Sequence, residues 1–97
     1  MAQFDLYRLR SGQIVVDLQT DLIGLDASRI VAPLRLAAKH ASFPGLTPQV
    51  RVEGESYIVR VQELAAVPGA ELGVPIGSLA TERDALKRAI DILIDGV

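Results

Sequence analysis

The sequence contains no cysteine and no tryptophan among its 97 residues, and its aromatic residues are two phenylalanines and two tyrosines. The absence of cysteine excludes disulfides and catalytic thiolates, and it removes a favoured ligand of zinc sites. Because aromatic side chains are scarce although 49% of the residues are hydrophobic, the core must be built from Val, Ile, Leu and Ala. A chain of this length supports one hydrophobic core, so we expect a single domain over residues 1–97.

The sequence also lacks clustered positive charge and long apolar runs. Its net charge is -2 at pH 7, and Lys and Arg are scattered, which disfavours direct binding of nucleic acid by this chain alone. No segment reaches the roughly 20 apolar residues needed to cross a bilayer. The N-terminus "MAQFDLYRLR" has an acidic residue where a signal peptide needs an apolar run. We therefore expect a cytoplasmic protein without a membrane partner.

The first two strands are predicted from alternation and from β-branched residues. "QFDLYRL" (residues 3–9) alternates apolar with polar side chains, and "QIVVDLQTDLI" (residues 13–23) should pair back on it after the turn "RSGQ" (residues 10–13). Leu22 and Ile23 are adjacent apolar residues at the end of the second segment. Strand alternation directs at least one of them outward, unless a bend turns both inward.

The middle of the chain predicts a third strand, a loop and a hairpin. "RIVAPL" (residues 29–34) should end or reach a sheet edge at Pro33, because proline donates no ladder hydrogen bond. Residues 35–48 contain a Pro-Gly pair and a further proline and are predicted to form a loop. Residues 49–64 form two alternating runs joined by Glu53 and Gly54, and this is the clearest hairpin signal in the chain.

The last third of the chain is predicted to end in an amphipathic helix. Residues 65–79 carry two prolines and three glycines and can hold only short or irregular strands. In residues 81–97, apolar residues recur at spacings of three and four, which is typical of a helix with one buried face: Leu86, Ala89, Ile90, Leu93 and Val97. Ile92 and Ile94 fall partly outside this stripe, which suggests a second contact surface for a dimer mate or a target.

Local signals indicate where this helix begins and ends. Thr81 followed three residues later by Asp84 resembles a capping box, and Gly96 stands where a C-terminal cap is expected. The architecture predicted from the residues is therefore a small, strongly bent antiparallel β-barrel or sheet with one terminal helix packed on it.

Catalytic and metal-binding patterns are weak in this sequence. His40 is the only histidine, and a catalytic triad would have to run through it, but its setting in a Pro/Gly-bounded loop favours a solvated side chain. No carboxylate pair has the spacing of a zinc or calcium site. Acid–base work by the carboxylate pairs is less favoured than a solvated face, and seven charged residues of the strands and turns are assigned to outer faces in contact with solvent: Asp17, Asp21, Arg29, Arg51, Glu53, Glu55 and Arg60. We therefore expect a protein that binds no metal and no cofactor and that is not an enzyme.

The whole chain resembles the CcdB family, the toxin half of type II toxin–antitoxin systems. The resemblance begins with "QFDLY", continues through "VVDLQTDLI", "RIVAPL", "VEGESYIV" and "AAVP", and ends in the terminal helix with "LKRAID" and a near-final glycine. It implies an SH3-like barrel of the type shared by CcdB and MazF, with antiparallel strands and a C-terminal helix. It also implies a homodimer in which two helix ends lie side by side.

The resemblance implies a function by binding rather than by catalysis. Family members inhibit DNA gyrase by binding its A subunit and trapping the cleaved-DNA complex. A CcdA-like antitoxin with an acidic, disordered C-terminal segment neutralises the toxin, and the complex represses its own promoter. DNA contact in that complex belongs to the antitoxin, so this chain would reach DNA only indirectly.

The resemblance also assigns binding residues. The gyrase-binding positions of the family fall on Leu22, Ile23, Asp91, Ile94, Asp95, Gly96 and Val97. The loop used for antitoxin contact falls on Arg10, Ser11, Gly12 and Gln13 and is about three residues shorter here. In well-known members, tryptophan stands at the position of Asp95, phenylalanine at that of Ile94 and asparagine at that of Asp91.

Two alternatives stay open at this point. The aspartate at the tryptophan position removes an anchor residue and adds a charge that is costly to bury. The chain could therefore be a target-impaired homologue that mainly binds an antitoxin or another target. An endoribonuclease of the MazF and Kid type would instead need basic and acid–base groups in one cleft.

Overall fold

A computed structural model of the protein describes residues 2–20 and 28–96. Within these residues, seven strands form one antiparallel sheet in the order β4-β5-β3-β2-β1-β7, and β6 pairs with β3. This mainly β half-barrel with a terminal helix confirms the predicted fold class. The elements are β1 (Asp5–Arg8), β2 (Ile14–Asp17), β3 (Ser28–Leu36), β4 (Gln49–Val52), β5 (Glu55–Val59), β6 (Ala65–Pro68), β7 (Gly77–Ser78) and α1 (Arg83–Asp95).

The first two strands form the predicted hairpin, but both are shorter than the sequence pattern suggests. Leu6 pairs with Val16 in the antiparallel register. The connection closes where the Leu9 N–H donates to the Gln13 carbonyl at 2.8 Å and the Gly12 N–H donates back to the Leu9 carbonyl at 2.8 Å. The predicted second strand extended to Ile23, and its residues 21–23 lie outside the described residues.

The prediction that the third strand ends or reaches an edge at Pro33 is wrong. Strand β3 continues to Leu36 and is central in the sheet, with β2 on one side and both β6 and β5 on the other. The Pro33 carbonyl accepts from the Arg60 N–H at 2.9 Å, so the proline nitrogen also faces that side. On that side, β3 pairs with β6 as far as Val31, and its pairing with β5 begins at Leu34. The proline occupies the gap between two partner strands, where no ladder donor is needed.

The hairpin of β4 and β5 is confirmed at its predicted turn. Glu53 and Gly54 both have positive φ values, of 53° and 82°, as a two-residue type I′ connection requires. The guanidinium of Arg51 donates to the Gly54 carbonyl at 2.8 Å and closes over the turn. Arg51, Glu53 and Glu55 are exposed, as predicted.

The two irregular regions also follow the predictions in outline. The predicted loop 35–48 begins with the last residues of β3 and a short 3-10 turn at Ala37–Lys39, and the rest is irregular. Residues 65–79 contain only the short strands β6 and β7 and a 3-10 turn at Gly69–Glu71.

Both faces of the sheet bury aliphatic side chains. Alternate residues of β1 and β2 point to opposite sides, so Leu6 and Val16 join the larger core under α1, whereas Tyr7 and Val15 pack with Leu72 on the other face. Every residue of β2 is consequently buried. The larger core is aliphatic apart from Phe4, as the composition requires: its other members are Leu6, Ile14, Val16, Leu18, Ala32, Leu34, Val50, Val52, Val59, Val61, Leu79, Leu86 and Ala89.

The assignment of Asp17 and Arg29 to solvent-exposed faces is wrong. The two side chains are 0% and 4% exposed, and Arg29 Nη2 lies 2.7 Å from Asp17 Oδ2. Arg29 Nε donates to the same oxygen at 2.9 Å, while Asp17 Oδ1 accepts from the Gln19 N–H at 3.0 Å. The pair is buried because both sheet faces are covered at β2. Arg60 is also half-buried, beside Glu63 at 3.1 Å, and Asp21 lies outside the described residues.

Helix α1 is confirmed, but its start differs from the predicted capping box. The N-cap is Glu82, which makes no side-chain cap hydrogen bond. A 3-10 turn at Ala80–Glu82 precedes the helix, and its Ala80 N–H donates to Ser78 Oγ at 3.1 Å. Thr81 lies inside this turn, one residue too early to cap the helix. The predicted inner stripe packs on the core, with Leu86 and Ala89 buried and Ile90 and Leu93 half-buried.

Candidate protein-binding surfaces

The end of α1 brings four of the predicted target-binding residues together. Asp91, Ile94, Asp95 and Gly96 are all exposed and form what we call the helix tip. The helix stops because Gly96 takes a left-handed conformation, with φ of 78°, and its N–H donates to the Ile92 carbonyl at 2.9 Å. This confirms the predicted cap. Leu22, Ile23 and Val97 lie outside the described residues.

The helix tip exposes apolar surface that the monomer does not use. Ile94 is 70% exposed, although its neighbours Ile90 and Leu93 pack on the core. A Cβ at Gly96 would meet no heavy atom within 4 Å, so the backbone at this point is open to close approach. Exposed aliphatic surface beside an accessible backbone is suited to a protein partner.

A turn at residues 43–47, the Phe43 turn, lies against the last turns of α1. A Cβ at Gly45 would lie 2.7 Å from Ile92 Cδ1, so the turn and the helix are in tight contact. The Phe43 N–H donates to Thr47 Oγ1 at 2.8 Å, and the Leu46 and Thr47 N–H groups donate to the Phe43 carbonyl. Thr47 is buried, whereas Phe43 is 49% exposed.

Sequence reasoning missed the Phe43 turn as part of a surface. Its Pro-Gly pair predicts a loop but does not indicate a binding surface. A usable signal was present, because Phe43 is one of two phenylalanines in the chain and stands in a loop where no strand or helix pattern buries it. An aromatic residue in such a position is a candidate for partner contact.

The predicted antitoxin loop borders a polar cleft of about 410 Å³. Gln13 fixes one wall, because its Nε2 donates to the carbonyls of Ile14 and Leu34 at 2.8 and 2.7 Å. The cleft runs from this loop to the end of β3, the following turn and β5. We call it the loop cleft; its polar lining residues are Arg8, Ser11, Gln13, Arg35, His40 and Tyr57.

The four predicted antitoxin residues do not share one site. Ser11, Gly12 and Gln13 line the loop cleft. Arg10 instead lines a second cavity of about 510 Å³ with Arg8 and residues 70–74. Arg8 borders both cavities and therefore marks the ridge between them.

The guanidinium groups of the loop cleft are held by carboxylates and an amide. Arg35 donates to Gln13 Oε1 at 2.5 Å and lies 3.3 Å from Glu63. Arg8 lies 2.9 Å from Glu53, and both side chains are largely exposed. Exposed pairs of this kind exchange readily with other partners, because their net stabilisation is small. The cleft can therefore offer two guanidinium groups to an acidic segment.

The loop cleft places the one histidine of the chain beside basic groups. His40 is exposed, as predicted, and lines the cleft with Arg35 and Tyr57. No sequence pattern indicates this arrangement, because the three residues come from different parts of the chain. In the part of the chain that the structure describes, no group of three or more His, Asp and Glu side chains could hold a metal ion.

Comparison with known protein families shows which family this chain belongs to. The sequence model of the CcdB protein matches residues 3–96. The chain belongs to the CcdB family. The match extends from the residue before Phe4 to the glycine that ends α1, so it includes the sheet, the loop cleft and the helix tip.

Solved structures share this fold at low sequence identity. The Mycobacterium tuberculosis toxin MazF-mt6 superimposes with a TM-score of 0.75 at 21% identity, covering 94% of each chain. Another toxin structure, from Mtb, gives a TM-score of 0.74 at 19% identity, covering 92% of this chain and 99% of that one. An endoribonuclease from a mycobacterial species gives a TM-score of 0.74 at 12% identity, covering 97% and 90%. At these identities the likeness shows the fold alone.

The family match supports a toxin of a toxin–antitoxin system. It also suggests an antitoxin as a partner. Among the described residues, no helix is long and apolar enough to span a membrane.

Proposed function

We propose that this CcdB-family protein is a toxin that binds the A subunit of DNA gyrase and traps the cleaved-DNA complex. It acts by protein–protein binding, and we propose no catalytic step. The observation that carries the proposal is the helix tip. There α1 ends at Gly96, whose backbone is accessible, close to the exposed side chain of Ile94. In the CcdB family, this is the part of the fold that meets gyrase.

A homodimer would place two helix tips side by side. The two-fold axis would then repeat each contact, and a modest apolar patch on each subunit would form one larger surface. Leu22, Ile23 and Val97 belong to the same proposed surface through the family resemblance.

The loop cleft is the proposed site for a CcdA-like antitoxin. Its guanidinium groups, Arg8 and Arg35, suit the carboxylates of an acidic segment, and Ser11, Gly12 and Gln13 supply polar and backbone contacts. We propose that the resulting complex represses its own promoter, with the DNA contacts made by the antitoxin. The net charge of -2 on this chain is consistent with DNA contacts made by the antitoxin and not by the toxin.

Purified gyrase tests the proposed activity directly. The protein is incubated with gyrase, ATP and supercoiled plasmid, and the DNA is examined after the enzyme is denatured. We expect linear DNA, because a trapped cleavage complex releases broken DNA when its protein is removed. Ile94→Ser should reduce the yield of linear DNA, because it removes exposed apolar surface from the helix tip.

Ile76→Ser is the matched control. Ile76 is also an exposed isoleucine, 39% accessible, and it lies beside β7 in neither proposed surface. Its yield of linear DNA should equal that of the wild type. Absence of linear DNA with the wild-type protein, or equal loss in both variants, would contradict the proposal.

A second candidate function is endoribonuclease activity in the loop cleft. It is favoured by one observation: His40, Arg35 and Tyr57 line the same cleft, which combines a titratable imidazole with a phosphate-binding guanidinium. Incubation of purified protein with a mixed-sequence RNA tests it. Cleavage that disappears in His40→Gln would establish this activity, whereas intact RNA, or cleavage unaffected by His40→Gln, would exclude it.

A third candidate is a homologue that binds an antitoxin but has lost gyrase as a target. Asp95 supports it, because a carboxylate stands where other members carry tryptophan. Growth on strong expression without any antitoxin, together with retained binding of the antitoxin encoded by a neighbouring gene, would favour this candidate. Growth arrest would favour the gyrase poison.

A further inference from the structure

We infer that the second cavity, beside β1, binds an extended acidic segment of a partner protein by strand addition. The cavity measures about 510 Å³ and is lined by Arg8, Arg10 and residues 70–74. None of the helix-tip residues lines it, and only Arg8 is shared with the loop cleft. The inference therefore goes beyond the proposed function and adds a binding site to the two surfaces assigned there.

The edge of β1 is open at this cavity. Strand β7 pairs with only the first two residues of β1, and the Ile76 N–H donates to the Leu6 carbonyl at 2.8 Å. Backbone groups of alternate residues point to the same side of a strand, so those of Arg8 face the same side as those of Leu6. The Leu9 N–H points the other way and donates to Gln13. Among the described residues, neither the N–H nor the carbonyl of Arg8 has a hydrogen-bond partner on the outer side.

The unpaired N–H and carbonyl of Arg8 match the backbone of an added strand. A small anion would be attracted by the N–H but repelled by the carbonyl oxygen, whereas a peptide residue offers an acceptor and a donor together. In an antiparallel pair, two opposite residues exchange both hydrogen bonds. Strand β7 occupies the same edge and is antiparallel to β1, so we expect the same orientation for the added segment.

The charges of the cavity favour an acidic segment. Arg10 is exposed, and among the described residues its guanidinium has no hydrogen bond or ion pair. Arg8 lies 2.9 Å from Glu53 in an exposed pair, which exchanges readily with other carboxylates. Glu71 also lines the cavity and partly offsets the two guanidinium groups. A carboxylate on the partner would supply the counter-charge that Arg10 lacks and compete with Glu53 for Arg8.

The opposite wall of the cavity offers an apolar contact on a fixed segment. Leu72 is 2% exposed and packs with Tyr7 in the smaller core cluster, and its N–H donates to the Gly69 carbonyl at 3.1 Å. These contacts hold the segment in place beside the cavity. Val74, in contrast, is 82% exposed. An aliphatic side chain of the partner can cover Val74 without the cost of ordering a loose wall.

The strand geometry predicts an alternating sequence in the bound segment. A residue opposite Arg8 has its side chain on the same face of the sheet as Arg8, so it should be acidic. Its N–H points to β1, whereas the N–H groups of the residues before and after it point away. The side chains of those flanking residues lie on the other face, where Tyr7 packs with Leu72, and they should be aliphatic.

A synthetic peptide tests the inference by nuclear magnetic resonance with isotope-labelled protein. The probe is a short peptide that alternates glutamate with valine and is blocked at both ends. We expect saturable binding that protects the Arg8 N–H from exchange with solvent. Methylation of the glutamate N–H groups should weaken binding about tenfold or more, because it removes the bonds to β1. Methylation of the valine N–H groups, which point away, should change the affinity less than about twofold.

Three variants and a matched control locate the bound peptide. Arg10→Ser should weaken binding about two- to fivefold, and Val74→Ser at least about twofold. Glu71→Gln should strengthen binding, because it removes a carboxylate that repels the peptide. Arg88→Ser is the control, since Arg88 is an exposed arginine of α1 that lines neither cavity, and it should bind as the wild type does. Thermal midpoints identify any variant that weakens binding by unfolding, and the methylated peptides test the wild-type protein alone.

Four results would overturn the inference. They are absence of peptide binding, equal binding of the two methylated peptides, equal affinity of Arg10→Ser and Arg88→Ser, and displacement of the peptide by inorganic phosphate at a similar concentration. The last result would assign the cavity to small anions. None of them bears on gyrase inhibition, which the plasmid assay measures separately.

Discussion

Arg29 donates from both Nε and Nη2 to a single oxygen of Asp17, at 2.9 and 2.7 Å, between two adjacent strands and out of contact with solvent. Asp17→Ala would leave a buried guanidinium without its counter-charge. We expect this substitution to lower the free energy of unfolding by about 3–5 kcal/mol, as for other buried pairs broken on one side. Urea denaturation followed by circular dichroism measures the change.

The double variant Asp17→Ala/Arg29→Met is the control for this prediction. It removes the uncompensated charge, so it should be more stable than Asp17→Ala alone. A single variant as stable as the wild type would show that the pair is not coupled to folding.

Gly45→Ala should destabilise the protein more than Gly73→Ala. Both glycines have positive φ values, 78° and 68°, and alanine in that region costs about 1–2 kcal/mol. Only at Gly45 would the new methyl group also collide with a side chain, at 2.7 Å from Ile92 Cδ1, whereas Gly73 has open space. The additional loss should lie near the lower end of the about 1–3 kcal/mol typical of overpacking, because Ile92 Cδ1 is the far end of a half-buried side chain that can partly shift. Thermal and urea unfolding of the two variants checks the order; equal losses would mean that Ile92 moves aside freely.

Stability should fall at alkaline pH because of Tyr7. Burial, assisted by the carboxylates of Asp5 and Asp17 and opposed by Arg29, raises the pKa of this phenol above its ordinary value of 10.0. The folded state therefore holds the proton more tightly than the unfolded state. The contribution of Tyr7 to the free energy of unfolding is fully present below pH 10.0. It is lost as the pH rises from there through the higher pKa of Tyr7 in the folded state.

Tyr7→Phe measures this contribution. The variant keeps the ring in the smaller core cluster but cannot ionise, so its unfolding free energy should decline less between neutral and alkaline pH than that of the wild type. Parallel declines would show that other groups control alkaline unfolding.

Asp95→Trp tests whether the helix tip can act with the aromatic residue found in other family members. A tryptophan at the centre of an interface contributes about 2 kcal/mol or more, which corresponds to roughly thirtyfold in affinity. If the native protein is target-impaired, the variant should gain toxicity on expression without antitoxin. If the Asp95 carboxylate itself contacts the target, the variant should bind gyrase A subunit with less salt dependence than the wild type. Growth assays and binding at two salt concentrations distinguish these results.

The fold was largely predictable because local signals agreed with the tertiary structure. Glu53 and Gly54 encode a type I′ turn, and Gly96 encodes a left-handed cap; neither needs information from distant residues. The prediction of a strand end at Pro33 failed because the rule for proline assumes that a central strand has a continuous partner on each side. On one side of β3, the partner changes from β6 to β5 at this residue. The Asp17 and Arg29 assignments failed for a related reason, since alternation alone does not reveal that both faces of β2 are covered.

The residues of the candidate sites were predictable mainly through the family resemblance, although helical periodicity already singled out Ile94 as a contact residue. Asp91, Ile94, Asp95 and Gly96 lie within six residues of sequence, so a resemblance could transfer them as a group, and the structure places them together at the end of α1. Phe43 could not be found in this way, because its place beside α1 depends on the contact of Gly45 with Ile92. The walls of the loop cleft likewise join residues from separate elements, such as Gln13 and Arg35, whose proximity follows from the sheet register.

The contact between Gly45 and Ile92 has a consequence for synthesis of the protein. It joins positions 47 residues apart, and α1 is made after all the strands. A nascent chain still on the ribosome can form its hairpins before the last helical turn has emerged. The Phe43 turn therefore receives its helical neighbour only after every described strand has been synthesised, and a chain truncated before Ile92 would leave Gly45 without the side chain that packs on it.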